Sequence, residues 1–265
     1  CDITRTGLSS LGAGMEFVMT EFNETPRTQQ GFGSVPRTGG ALAGGVTFDV
    51  GLRKHMLSIY NYMTSGVLLT GIVALLAARS GLALSFASGP LMWIVALSPL
   101  AIVFAMSFGA NRFSKGALQA MFWVFATLMG LSLSTIFLVF TGGSIAATFF
   151  ATSAAFAGLS LFGYTTKKDL SGWGSFLIMG VIGLLVAMLL NIWLQSPALM
   201  WAVSFIGVLI FAGLTAYDTQ RLKREYSYYR GAEFAGKAVI LGALSLYLDF
   251  INMFQFLLQF MGQRE

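Results

Sequence analysis

The sequence predicts an all-α, polytopic membrane protein of seven transmembrane helices, and three observations predict it. Only 10% of the 265 residues are Asp, Glu, Lys or Arg while 56% are hydrophobic, too few charges to clothe a soluble fold of this size. The charges are also segregated: residues 116–166 and 170–217 carry none, and 56–111 carry Arg79 alone. Each run has room for two crossings of ~20 residues with a turn between them. Finally, 31 Gly against 5 Pro fits helices that approach closely inside a bilayer.

Composition also excludes functions. One cysteine rules out a disulfide framework, and one histidine leaves no His/Cys zinc site. The net charge of +5 does not mark a nucleic-acid binder, because the basic residues sit in short loops between apolar stretches and not on one face. They read as topogenic charges, and the partner they imply is the lipid bilayer.

Residues 1–50 differ in kind from the rest. Thr, Ser, Gly, Pro26 and Pro36 interrupt every apolar run there, so the segment reads as a disordered cytoplasmic tail. The chain opens on Cys1, not Met, which reads as a start placed upstream of Met15 or Met19. The transmembrane domain is then 51–265.

Seven apolar segments follow, at 56–78, 91–110, 117–140, 144–164, 173–195, 198–218 and 238–262. The connections 141–143 and 196–197 are so short that spans three and four, and spans five and six, should form tight antiparallel hairpins. Basic residues then set the orientation. Arg53, Lys54, Arg112, Lys115, Lys167, Lys168, Arg221, Lys223, Arg224, Arg230 and Lys237 fall on one side, and only Arg79 and Arg264 on the other. That bias puts the amino terminus inside and the carboxyl terminus outside, and the short loops point to a bacterial plasma membrane. A weak period supports the layout. Gly109 and Gly163 are 163 − 109 = 54 residues apart, and another 54 reaches Tyr217, so each of these points should end a span. The simplest architecture is three two-helix hairpins plus a leftover seventh helix.

Ionisable groups inside a bilayer are functional-site candidates by default. Two stand out here. Asp249 lies about a dozen residues into the seventh span, and Asp218 closes the sixth. Because those spans run in opposite directions, both carboxylates fall in the cytoplasmic half and can face each other. On the seventh span Gly242, Ser245, Asp249 and Asn252 recur at spacings of three and four and so make one stripe. Gly180, Gly183, Ala187 and Asn191 make a similar stripe on the fifth.

Two carboxylates side by side in a low-dielectric site cannot both ionise easily, so they share a proton and make a pH sensor. Deprotonated, Asp218 and Asp249 offer oxygen ligands for a hard cation, a weak calcium site. Arg112 follows the second span on the same side and is the candidate countercharge, with Asn252, Ser245 and Tyr217 as supporting polar groups. His55 reads as a headgroup-facing residue, and the five tryptophans as interfacial anchors. No resident cofactor is expected beyond weakly bound calcium.

These residues resemble a known family. Ala243-Leu-Ser-Leu-Tyr-Leu-Asp249-Phe-Ile-Asn252-Met-Phe in the last span, Tyr217-Asp218 closing the one before, and Lys167-Lys168-Asp169-Leu170-Ser171 after the fourth are similar to the Bax inhibitor-1, or transmembrane Bax-inhibitor-motif, family. The resemblance covers residues 50–262. It implies three two-helix units around a central helix, with Asp218 and Asp249 as a pH-sensitive di-aspartyl pair and a pH-dependent calcium leak. It also implies that Arg112 latches the closed state by pairing with the aspartate site. Eukaryotic members restrain cell death, and some bacterial members are linked to a membrane-bound protease.

Function therefore divides three ways. The leading expectation is a membrane calcium or cation leak channel gated by the protonation of Asp218 and Asp249, its partners being calcium ions and protons. The alternative is a non-transporting regulator that modulates membrane proteolysis or stress and cell-death control, with a membrane-bound protease as partner. Intramembrane aspartyl proteases also pair a Tyr-Asp with a second Asp, but they use Gly-x-Gly-Asp where this chain has Leu246-Tyr-Leu-Asp249. An enzyme is therefore not expected. A retinal protein is set aside too, since no lysine lies between Lys237 and Arg264.

Overall fold

The computed structural model describes residues 50–87, 90–232 and 234–264. The disordered tail expected at 1–50 lies almost wholly outside them. The described chain is helical nearly throughout. α1 is Val50–Arg79, α2 Leu82–Ala87, α3 Pro90–Gly109, α4 Lys115–Leu133 with a 3-10 turn at Ser134–Leu138, α5 Gly142–Thr165, α6 Ser171–Leu194, α7 Pro197–Tyr229 and α8 Ala235–Met261. Six of these are long and apolar enough to cross a membrane, and Trp93–Gly109 is a shorter apolar helix. Together they make the seven expected.

The connections end helices by local chemistry. Ser114 Oγ caps α4 by accepting from Ala117 N at 3.2 Å, and Thr141 Oγ1 caps α5 by accepting from Ser144 N at 3.4 Å. Gln195 closes α6 in the left-handed region at φ 46°. Asn191 Oδ1 accepts from Ser196 N at 3.0 Å, and Pro197 then opens α7 without needing a partner.

α8 is the central helix. It is buried along most of its length and packs against α7, α1, α5 and α4, whereas α6 is the least buried of the six long apolar helices. Of the two hairpins expected from short connections, α6 and α7 do pack along one another. α4 packs instead on α1 and α3, and α5 on α7 and α8. The turn at 134–141 thus joins helices that pack on different neighbours, both of them also touching α8. At Gly163 a side chain would run into the Ala216 carbonyl, so α5 and α7 approach backbone to backbone there. Of the stripe on α6, Gly180 meets Ile210 of α7 while Gly183 has open space beside it.

α7 departs from expectation in length. It continues eleven residues past Asp218, 229 − 218, instead of ending there, and Tyr217 lies mid-helix, so the third point of the 54-residue period marks no helix end. Gln220-Arg-Leu-Lys-Arg-Glu225 is a run of good helix formers, and the helix projects beyond the apolar layer without breaking.

Contacts gather the basic residues at one end. Lys237 Nζ reaches the Ala110 carbonyl at 3.5 Å, Lys223 Nζ donates to the Tyr164 carbonyl at 2.7 Å, and Arg224 meets Asp169 at 2.7 Å. His55 packs against Tyr226, ring centroids 5.3 Å apart, more a helix contact than a headgroup ligand. At the other end Thr141 N bonds Gln263 O at 3.0 Å, and the Arg264 guanidinium lies 5.9 Å from the Phe140 ring. Trp93, Trp173, Trp193 and Trp201 are exposed, whereas Trp123 packs against Phe122 and Tyr62.

Candidate functional site

α7 and α8 make the most extensive helix pair in the bundle, and both predicted aspartates belong to it. Asp218 and Asp249 are each only 5% exposed. They line one cavity of about 590 Å³ together with Tyr217, Arg221, Ser245 and Asn252. The stripe read from the sequence is therefore the face of α8 that looks into the cavity, apart from Gly242, which packs against Leu222 and Ile59.

Asp218 is well supplied with partners. Ser245 Oγ, from α8, donates to its Oδ2. Arg221, one turn along α7, places Nη1 3.2 Å from Oδ1 and Nη2 3.3 Å from Oδ2, and Nη2 also donates to Ser245 Oγ at 3.1 Å. Beyond it Glu225 Oε1 lies 3.4 Å from Arg221 Nε, too poorly aligned for a hydrogen bond. The guanidinium is also 5.9 Å from the Tyr217 ring, which in turn packs over Gly174 where no side chain would fit.

Asp249 is in the opposite condition. It is buried, it lines the same cavity as Asp218 and Arg221, and its Oδ2 has no hydrogen-bond partner among the described residues. A carboxyl oxygen left so in a dry site needs a proton or a cation. Among the described residues no three of His, Cys, Asp or Glu cluster as metal ligands. Asn252 turns its amide nitrogen back to Leu248 O at 2.8 Å.

The cation at Asp218 is Arg221, not Arg112. Arg112 lies exposed in the turn after α3, its backbone N–H bonded to Gly109 O at 2.9 Å. Hydropathy falls away after Asp218 and makes Arg221 look like a topogenic charge alone; on the continuous α7, position i+3 is the natural partner.

The loop motif also gains a meaning. Gln220, nearly fully buried, donates its amide to Lys168 O at 2.7 Å and accepts from Leu170 N at 2.8 Å. It clamps 168–170 to α7 two residues beyond Asp218. Asp169 accepts from the hydroxyl and backbone of Ser171, which with Arg224 hold its carboxyl below its ordinary range. Its exposure keeps it outside the cavity. A further polar chain, unread in the sequence, runs from Tyr247 of α8 through Thr70 of α1 at 2.6 Å to the Ala126 carbonyl of α4 at 2.8 Å.

The family model described as inhibitor of apoptosis-promoting Bax1 matches residues 52–265. The inner membrane protein YbhL of Escherichia coli K12 is 46% identical over 219 residues, 81% of this chain and 94% of that protein. An uncharacterized protein of Caulobacter vibrioides is 48% identical over 230 residues, 82% of this chain and 91% of that protein. With the family model matching 52–265 and a relative 46% identical over 81% of the chain, this integral membrane protein belongs to the Bax inhibitor-1 family.

Proposed function

We propose that this protein is a pH-sensitive cation leak channel of the inner membrane, with calcium as its physiological ion, gated by Asp218 and Asp249. The observation that carries the reading is the unpartnered Oδ2 of Asp249, buried in the same cavity as Asp218. Two acids in a low-dielectric cavity hold one proton between them, and losing it presents anionic oxygens to a hard cation. The E. coli relative is named an inner membrane protein, and the gathering of basic residues at one end of the bundle supports an amino terminus on the cytoplasmic side. Arg221 already neutralises one carboxylate, so this chain needs no second arginine to hold the site closed.

The test is calcium flux into proteoliposomes across a pH series. Flux rises with pH in the wild type as the shared proton leaves, and Asp249→Asn and Asp218→Asn flatten the profile. Wild-type vesicles no leakier than empty ones at any pH overturn the reading, and point to a regulator that acts through a membrane partner.

A further inference from the structure

The cavity beside Asp249 is polar along one side only. α3 contributes Pro99, Leu100 and Val103, and α6 contributes Ile178, Leu184 and Met188, all apolar. Apart from Ser132 of α4, the polar lining comes from α7 and α8. On α8 it does not stop at the aspartate: Asn252, Gln255 and Gln259 line the same cavity. Steps of 3, 3 and 4 from Asp249 keep them on one helix face.

The direction of this row is fixed by its surroundings. α8 begins beside Lys237 and the Ala110 carbonyl, at the basic end, and finishes beside the Thr141–Gln263 contact at the other. From Asp249 to Gln259 is ten residues, or ~15 Å at ~1.5 Å per residue, about half of a ~30 Å hydrocarbon layer. The amides thus cover the half of the membrane that lies beyond the carboxylates. Amides at this depth ordinarily bond a neighbouring helix or line water. The α3 and α6 side chains that line the cavity are apolar, and among the described residues the row has one interhelical side-chain hydrogen bond, from the Ser204 hydroxyl of α7 to Gln259 Oε1 at 3.4 Å. Helix cross-linking therefore does not account for the row.

We infer that Asn252, Gln255 and Gln259 are the cation path from the aspartate pair to the far side of the membrane, their amide oxygens replacing hydration as the ion passes. The inference rests on the channel reading and names where the ion goes. Neutral amide oxygens suit this use, because they ligate a hard cation without binding it too tightly to leave.

Two measurements test it. Cys1 is the sole cysteine, so in a Cys1→Ser background Gln255→Cys and Gln259→Cys in proteoliposomes report contact with water through a charged, membrane-impermeant thiol reagent. Both are modified, whereas Ile182→Cys on the exposed face of α6 is not. In the flux assay Gln255→Leu or Gln259→Leu cuts calcium passage by about ten-fold, one lost oxygen being felt at every transit. Gln255→Glu restores passage. A Gln255→Cys protein as unreactive as the Ile182→Cys control overturns the path. A conducting wild type whose flux ignores both leucine variants, with unchanged thermal unfolding, also overturns it while leaving the channel reading intact. A non-conducting wild type overturns the channel reading itself.

Discussion

Arg221 faces Asp218 with both terminal nitrogens, at 3.2 and 3.3 Å, and shares Ser245 with it. The site is therefore a cation and a partnered carboxylate set against Asp249, whose Oδ2 is unpartnered. Arg221→Gln removes the cation while keeping a polar side chain. The expected cost in stability is small, about 1 kcal/mol, because the guanidinium is a third exposed and solvent screens much of the pairing. The functional effect runs the other way, with calcium flux at neutral pH rising several-fold because the cavity becomes more negative. Detergent-phase thermal unfolding and proteoliposome flux on one preparation separate the two effects.

Gln220 holds the 168–170 backbone through two hydrogen bonds. Gln220→Leu leaves a part-buried backbone N–H and a carbonyl without their partner, and should destabilise the protein by about 1 kcal/mol. The loosening should concentrate in the α5–α6 loop. Limited proteolysis after Lys167 or Lys168 checks this, and protection equal to wild type contradicts it.

The Tyr247 hydroxyl joins α8 to α1 and, through Thr70, to α4. Tyr247→Phe keeps the ring against Phe122 and Phe125, at centroid distances of 6.2 and 5.0 Å, and should cost about 1 kcal/mol for one hydrogen bond. Tyr247→Ala also empties a fully buried ring site and should cost about 3–5 kcal/mol. The ratio of the two unfolding shifts is the check.

Asp169 titrates below its ordinary range in the folded protein because Ser171 and Arg224 favour its charged form. Its contribution to holding the loop is present above the unfolded carboxylate value and is lost as pH falls through the lower folded one. Relative to the intrinsic rate at each pH, hydrogen exchange at the Ser171 amide should accelerate across that acid window in the wild type. In Asp169→Asn the acceleration should be absent.

Much of the site was legible in the sequence because membrane burial makes each charge conspicuous. Asp218, Asp249, Ser245, Tyr217 and Asn252 were named from scarcity and from helical spacing, and all five line one cavity. Arg221 was missed because hydropathy ended the helix at Asp218, although a helix needs no apolar residues once it has left the bilayer. Gln220, Gln255 and Gln259 were missed for a different reason: an uncharged amide carries no hydropathy penalty large enough to draw notice, and its role depends on what lies opposite.

The sequence by itself determined the seven apolar helices and the gathering of basic residues at one end. Those follow from transfer free energies, which each segment carries locally. Only the tertiary structure decided which helices touch, which arginine answers Asp218, and which carboxyl oxygen has no partner. Short connections constrain where a helix begins, but side-chain packing selects its neighbours, and so α4 lies against α1 and α3 instead of α5.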